Sequence, residues 1–513
     1  MNTIAPLNHS LPLPSLEPST HSAPAPAKRE RRQAPSLAQD TGESPAPPAR
    51  RVRPSQEQEA ILVDDGNLIA RHSIRTRQYD LDKPTLLDDK LTLETGNTSD
   101  TIHVSNRTDG RLNVEVNGKS YIFDARDAKD EVPTKLVIKS NGGDDKIKVD
   151  ADVMLYVTIE AGDGNDHVRA GGGPSRLLGG NGNDFLQLGS GAGYAEGNEG
   201  SDMMIGGSGN AILYGNNGND WMYAGPGAAS KKSHMDGGSG SDTMYAGNGH
   251  TIMNGGRGDD VMLGRDRTTF YSGKGNDTIR SNNRDDLIYA KPSDRFLNSA
   301  HAKLRAVIPS EAGKRGFNVQ GTAEFKQRVE DDLELLRSSP AGQKMLAEMD
   351  AAADRNGVPV TLQDGGKRDR TDYAFNQQEP DQLDPEAPVK GYVHNGVQGA
   401  PITDGVVRYS PSSTFDAPVS GGFPITNLYH EMVHAYNGAT GSFLPGTTEE
   451  PVAGEPPEDT PNIERQAVGL PTGAEPFDFD HDPLTPPTAT NPAPFTENSL
   501  RKEMGLNLRN RYT

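Results

Sequence analysis

The chain has 513 residues, 58 glycines, 38 prolines, no cysteine and a formal charge of −20. That length allows more than one core; the missing thiols exclude disulfides and thiolate metal sites, so any zinc must take His, carboxylate and water. The acidic balance excludes a main role on nucleic acid, whose phosphates need a basic face, and the lack of a long apolar run or an N-terminal h-region predicts neither a membrane span nor a Sec-type signal.

Residues 1–58 read as a Pro/Ser-rich segment, with 11 prolines, 7 basic and 4 acidic residues in the first 55. Such a stretch cannot bury enough apolar surface to offset its ordering entropy, so disorder is expected. It reads as a signal for a needle-type (type III) bacterial secretion apparatus, against the plainer reading of a flexible tail. From 59 to 140 a β-rich region is expected, because "KLTLETGNTSDTIHVSN" and "RLNVEVNGKSYIFDA" alternate apolar and polar residues and Asn117-Gly118 marks a tight hairpin.

An internal repeat occupies 141–292. Gly-rich turns end at Asp145, Asp166, Asp184, Asp202, Asp220, Asp242, Asp260 and Asp277, spaced by 21, 18, 18, 18, 22, 18 and 17 residues, which is a solenoid period of 18. Two residues after each aspartate stands an apolar side chain (Ile147, Val168, Leu186, Met204, Met222, Met244, Met262, Ile279) expected to point inward. A second row (Gly193, Ala211, Ser233, Thr251, Thr269) has lost its carboxylates, while the positions two further on (Ala195, Leu213, Met235, Met253, Tyr271) keep the core pattern. The repeats resemble RTX-type calcium β-rolls, so a flattened parallel β-roll with one calcium-competent edge and one metal-free edge is expected. Ca²⁺ takes six to eight oxygens, which stacked turns supply as carbonyls and aspartates, and the carboxylates would repel one another without a cation. The competing reading is a solenoid that folds without calcium, its aspartates capping turns.

Residues 293–513 turn helical. Phe325, Val329, Leu333, Leu336, then Met345, Leu346 and Met349 give apolar faces. "GVVRYSP" from Gly405 is a predicted strand, offered as an edge against which a substrate backbone could pair. After it, "NLYHEMVHAYN" places His430 and His434 on one helical face, with Thr426 as the expected cap. Two imidazoles so placed suit one zinc, and Glu431 beside them can take the proton as water attacks a peptide carbonyl. A third ligand must come from downstream: Glu449, Glu450, Glu455, Glu458, Asp459, Glu464 and His481 are open, and most lie in the Pro-rich acidic loop "TTEEPVAGEPPEDTP". Glu464 falls instead on a predicted helix capped by Thr460, begun by Pro461 and stopped at Leu470-Pro471, which would hold a ligand rigidly.

With "GTAEFKQRVEDDLELLRSSPAGQKML", "GVVRYSP", "HEMVHAYNG", "NIERQAVGLP" and "ENSLRKEMGLNLRNRYT", the region resembles the NleD-like family of bacterial zinc metallopeptidase effectors over most of 315–513. The resemblance implies zinc on His430, His434 and Glu464, Glu431 as catalytic base, delivery into host cells by type III secretion, and cleavage of host proteins, signalling kinases among them. For oxyanion stabilisation the open choices are Tyr512, Arg511 and Tyr436, of which Tyr512 is preferred. The expected architecture is multidomain: a disordered tail, an all-β parallel solenoid and an α+β zincin-like metallopeptidase domain, acting as a monomer. The competing function is a secreted calcium-binding adhesion or scaffold module with a vestigial zinc site; retention of Glu431 speaks against it, since a structural zinc site needs no base. In a third reading both metals serve export and folding, which is compatible with activity.

Overall fold

A computed structural model of the chain describes residues 55–77, 85–126, 132–366, 371–375, 389–412, 422–451, 456–480, 482 and 484–512. The expected disordered segment lies outside these residues except at its end, where Gln56 opens a strand, Gln56–Asp64, paired antiparallel with Ile69–Arg77. The predicted hairpin is present: Leu112–Val116 pairs antiparallel with Lys119–Phe123, and Asn117 and Gly118 take the φ values of 51° and 78° that a tight primed turn requires.

Two facing sheets, of 13 and 12 strands, make the solenoid. Its coils stack in parallel register, so Ile147, Val168, Leu186, Met204, Met222, Met244, Met262 and Ile279 form one continuous buried row. Ala195, Leu213, Met235 and Met253 face them from the other sheet. That second row departs from expectation at its end. Thr251 pairs with Thr268, not Thr269, and Met253 with Phe270, so Phe270 fills the core and Tyr271 points outward. The cause is the 17-residue step from Asp260 to Asp277, which removes one residue and flips every later side chain of that strand to the other face. Stacking is close enough to demand glycine at the turns: at Gly200, with φ of +123°, an added Cβ would lie 1.9 Å from the Gly182 carbonyl oxygen. Coils continue past the glycine repeats to Lys303–Ala306.

The C-terminal region holds a four-stranded sheet in the order Phe317–Gln320, Val360–Asp364, Val406–Tyr409, Asp372–Ala374. The first three are parallel and the last antiparallel. "GVVRYSP" therefore supplies an inner strand, and the edge belongs to Asp372–Ala374. Five helices accompany the sheet among the described residues: α1 (Ala323–Arg337), α2 (Pro340–Asn356), α3 (Pro424–Thr440), α4 (Asn462–Val468) and α5 (Glu497–Glu503). Thr322 and Ser339 cap α1 and α2 through their hydroxyls. α3 is buried along nearly its whole length, its polar His430, His434 and Asn437 included, as befits a central helix.

This region packs on the outer face of the 13-stranded sheet, and the two share a core in which Tyr194, Ile212, Tyr214, Ile252 and Tyr271 meet helix residues such as Val329 and Leu428. Arg328, buried, lays its guanidinium 3.2 Å from the Tyr214 ring centroid and donates to Asp332 at 2.5 Å. Tyr409 donates to the other oxygen of Asp332 at 2.7 Å, so strand, helix and solenoid are tied at one ion pair. α5 is fixed to the solenoid as well: Thr269 donates to the Met504 carbonyl at 2.8 Å, Tyr271 to Glu503 Oε1 at 3.1 Å and Tyr289 to the Glu503 carbonyl at 2.9 Å.

Candidate metal centre

α3 begins at Pro424, whose missing N–H costs nothing in a first turn. Its N-cap is Phe423; Thr426, the expected cap, lies inside the first turn and donates to the Phe423 carbonyl at 2.8 Å. One turn separates His430 from His434, and their Nε2 atoms stand 3.1 Å apart. Glu464 Oε2 closes the triangle at 3.2 Å from each. Among the described residues these three form the one group of three or more His, Asp or Glu whose ligand atoms all lie within 4.8 Å of one another, close enough to hold a metal ion by side chains alone.

Glu464 is carried by α4, which starts at Asn462 with Pro461 as its cap, one residue later than expected; Thr460 belongs to the preceding strand. Asn462 and Gln466 tie this short helix to the loop after α3: Asn462 Nδ2 donates to the Pro445 carbonyl at 2.6 Å and Gln466 Nε2 to the Ser442 carbonyl at 2.9 Å. In the acidic stretch before it Thr447–Glu450 pairs antiparallel with Glu458–Pro461, so that Glu449 faces Asp459 and Glu450 faces Glu458. Glu450, another open ligand candidate, pairs instead with Arg465 and accepts the Tyr512 N–H at 3.0 Å. Glu455 and His481 lie outside the described residues.

A third acid at the site was not foreseen. Glu497, at the start of α5, accepts from or shares a proton with His430 Nδ1 at 3.0 Å, and is itself held by Arg501 at 3.1 Å and Arg509 at 3.0 Å. It turns the His430 ring so that Nε2 faces Glu464 and His434, the arrangement by which an outer carboxylate orients a ligating histidine. His434 is seated between the Tyr373 ring, nearly parallel at 6.4 Å, and Phe443 at 6.2 Å. Gly438, in the last turn of α3, faces Tyr373: a Cβ there would meet the Tyr373 hydroxyl at 2.5 Å.

The electrostatics favour a cation. Burial opposes charge on His430, but Glu464 and Glu497 outweigh it and raise its pKa to about 10. Burial likewise opposes charge on Glu497 and Glu464; His430 and the arginines bring Glu497 to about 2, and the two histidines hold Glu464 lower still. Glu431 is raised above the ordinary carboxylate value, chiefly by burial, with Glu464 adding to it and both histidines opposing. Tyr512 lies over the centre, its ring 6.3 Å from His430, and burial and then the Glu464 carboxylate push its pKa up. Arg511 and Tyr436 are placed differently: Tyr436 stacks on Phe495 at 4.5 Å, and Arg511 is exposed.

The repeat aspartates form a second acidic array. In each coil Oδ1 accepts the backbone N–H of the aspartate one coil earlier, at 2.6–3.0 Å from Asp145 through Asp277. Asp100 and Asp294 extend the ladder at its two ends; "SDTI" and "SDRF" carry the same aspartate-x-apolar spacing, but without the glycine turn that drew attention to the others. From Asp100 to Asp260 the Oδ2 atoms are buried without a partner. Asp277 differs, since the Lys291 ammonium reaches its Oδ2 at 2.8 Å together with the Gly273 carbonyl at 2.6 Å. A cation therefore fits this rim, and oxygens lacking one recur along it. Burial, reinforced by neighbouring aspartates in several coils, raises these acids, to about 6 for Asp145, about 8 for Asp202 and about 9 for Asp260. The opposite edge has no such ladder, and there Lys231 donates to the Ala224 carbonyl at 2.6 Å.

Residues 313–512 match the Peptidase_M91 family model, described as effector protein, and four copies of the RTX calcium-binding nonapeptide repeat match 160–195, 196–228, 234–266 and 268–291. No curated protein and no solved structure matches the chain. Residues 313–512 are thus similar to the Peptidase_M91 effector family, and the solenoid before them carries matches to RTX calcium-binding repeats.

Proposed function

We propose that the chain is a secreted zinc endopeptidase that cleaves host proteins after type III delivery. The carrying observation is the triangle of His430, His434 and Glu464. Its sides of 3.1–3.2 Å approach the roughly 3.3 Å edge of a tetrahedron with zinc bonds of about 2.0 Å. These three side chains would hold the zinc ion, which would supply Lewis acidity at the scissile carbonyl. Glu431 takes the proton from the attacking water and returns it to the leaving amine; its raised pKa suits both halves of that task. Glu497 fixes the His430 tautomer with the proton on Nδ1, leaving Nε2 free as a donor atom. An extended substrate backbone pairs with the edge strand Asp372–Ala374, whose Tyr373 borders His434.

Elemental analysis after dialysis tests the metal assignment. One zinc per chain is expected in wild type and none in His434→Ala, while Glu497→Gln should weaken zinc about 10–100-fold against a competing chelator. Equal zinc in wild type and His434→Ala contradicts the assignment.

Tyr512 is assigned to the oxyanion that forms as water adds. Its high pKa keeps the phenol protonated and able to donate. Tyr512→Phe is expected to lower kcat by about 10²-fold with KM little changed; unaltered kcat removes the residue from the mechanism. The aspartate ladder takes calcium through the unpartnered Oδ2 atoms and turn carbonyls, with Asp145, Asp166, Asp184, Asp202, Asp220, Asp242 and Asp260 as ligands; Asp277, whose Oδ2 is paired, is not one of them. Lys291 closes the series at Asp277.

A further inference from the structure

The 12-stranded sheet has an outer face that the peptidase region, packed on the 13-stranded sheet, leaves uncovered. Each short strand of this sheet buries its middle residue and turns the two flanking ones outward. Taken from Lys146–Val149 to Arg295–Leu297, these outward positions contain no Asp or Glu, in a chain with 72 of them. Instead they sort by place. The central coils present Phe185, Met203, Trp221, Tyr245, Val261 and Leu263, with Met203 44 % and Val261 37 % exposed, and Trp221 is the only tryptophan in the sequence. Lys146, Lys148 and Arg169 stand at one end of this strip and Arg280 and Arg295 at the other, all exposed. Eight coil-to-coil steps of about 4.8 Å make the face roughly 38 Å long.

We infer that this face docks on an anionic phospholipid surface, with the aromatic and aliphatic centre in the headgroup layer and the cationic ends on lipid phosphates. A regularly stacked parallel sheet with an apolar, Trp- and Tyr-bearing centre and Lys/Arg at the periphery matches the lateral uniformity of a lipid surface, which needs charge and apolar contact more than shape. A second copy of the chain fits worse, because both ends of the strip are cationic and either orientation opposes like charges. Exposed carboxylates do occur on the neighbouring rim, at Asp144 and Asp259, where each accepts the N–H of the next coil's asparagine at 2.8 and 2.7 Å. The inference is independent of the peptidase reading, since the metal centre lies in the region on the opposite sheet.

Co-sedimentation of the full chain with vesicles of phosphatidylcholine alone, and with phosphatidylserine added, tests it in one calcium-containing buffer. Wild type is expected with the anionic vesicles and in the supernatant with the neutral ones. Combined Arg169→Glu, Arg280→Glu and Arg295→Glu should weaken anionic binding by about a hundredfold or more, and Met203→Glu with Val261→Glu should weaken it without moving the thermal midpoint, all five side chains being exposed. Because calcium bridging between lipid and rim acids is the same in every variant, undiminished binding in both variants overturns the inference. So does wild type that stays in solution with anionic vesicles, a result that leaves the face to a protein partner.

Discussion

Glu431→Gln is expected to retain its metal and lose about 10³-fold or more in kcat/KM. The substitution preserves volume and removes a non-ligand carboxylate beside the metal triad that, unlike Glu497, is not committed to His430 Nδ1 and two arginines; His430, His434 and Glu464 keep their mutual distances of 3.1–3.2 Å. Its effect should also change with pH in a defined sense. The free carboxylate is raised by burial, so wild-type activity should fall on the acid side, as Glu431 protonates, at a pH above the ordinary glutamate range, and the variant should lack that limb. Full activity in Glu431→Gln, or loss of zinc along with activity, would remove Glu431 from the role of base.

Calcium should have the largest effect on stability. In chelator, the thermal midpoint of the chain is expected to fall by roughly 10 °C or more between pH 5 and pH 8. The sign follows from the aspartate ladder. Burial raises these acids above their unfolded value, to about 6 at Asp145, about 7 at Asp184 and Asp220, about 8 at Asp202 and Asp242 and about 9 at Asp260. The folded state therefore binds more protons than the unfolded one. That contribution is complete below the unfolded aspartate pKa and is lost as pH rises through about 6 to 9. Millimolar calcium should reverse the dependence, raising the midpoint most at pH 8, where the ligands are free of protons and each occupied site adds its binding free energy. Calorimetry in chelator and in calcium at both pH values reads it. Coincident midpoints would mean that the ladder is held by hydrogen bonds alone, the turn-capping role.

The solenoid was legible because stacking imposes a rule on every coil: an aspartate, a spacer, an inward apolar residue. Where the rule kept its glycines it could be read, and where it lost them, at Asp100 and Asp294, it could not, although the hydrogen-bond ladder passes through both. The Thr269 and Tyr271 positions were misassigned because counting by nine assumes equal coils, and one missing residue exchanges core and surface. In the C-terminal region the helical spacing of His430 and His434 is local and therefore readable. Glu464 needed an inferred helix, which the structure starts one residue later. Glu497 lies 67 residues from the histidine it orients and carries no spacing signal, since only the fold brings α5 to α3. The same reason hid the sheet order: that "GVVRYSP" has a neighbour on each side depends on the short strand Asp372–Ala374, a pairing no local pattern announces.

The central claim, that this metal triad and Glu431 make a peptidase, is tested most directly by sequencing new protein N-termini in a host-cell lysate after incubation with zinc-loaded wild type or Glu431→Gln, both in calcium. A small set of new N-termini is expected with wild type and absent with the variant, and those peptides would name the substrate. New N-termini common to both proteins, or none with zinc-loaded wild type, would contradict the claim.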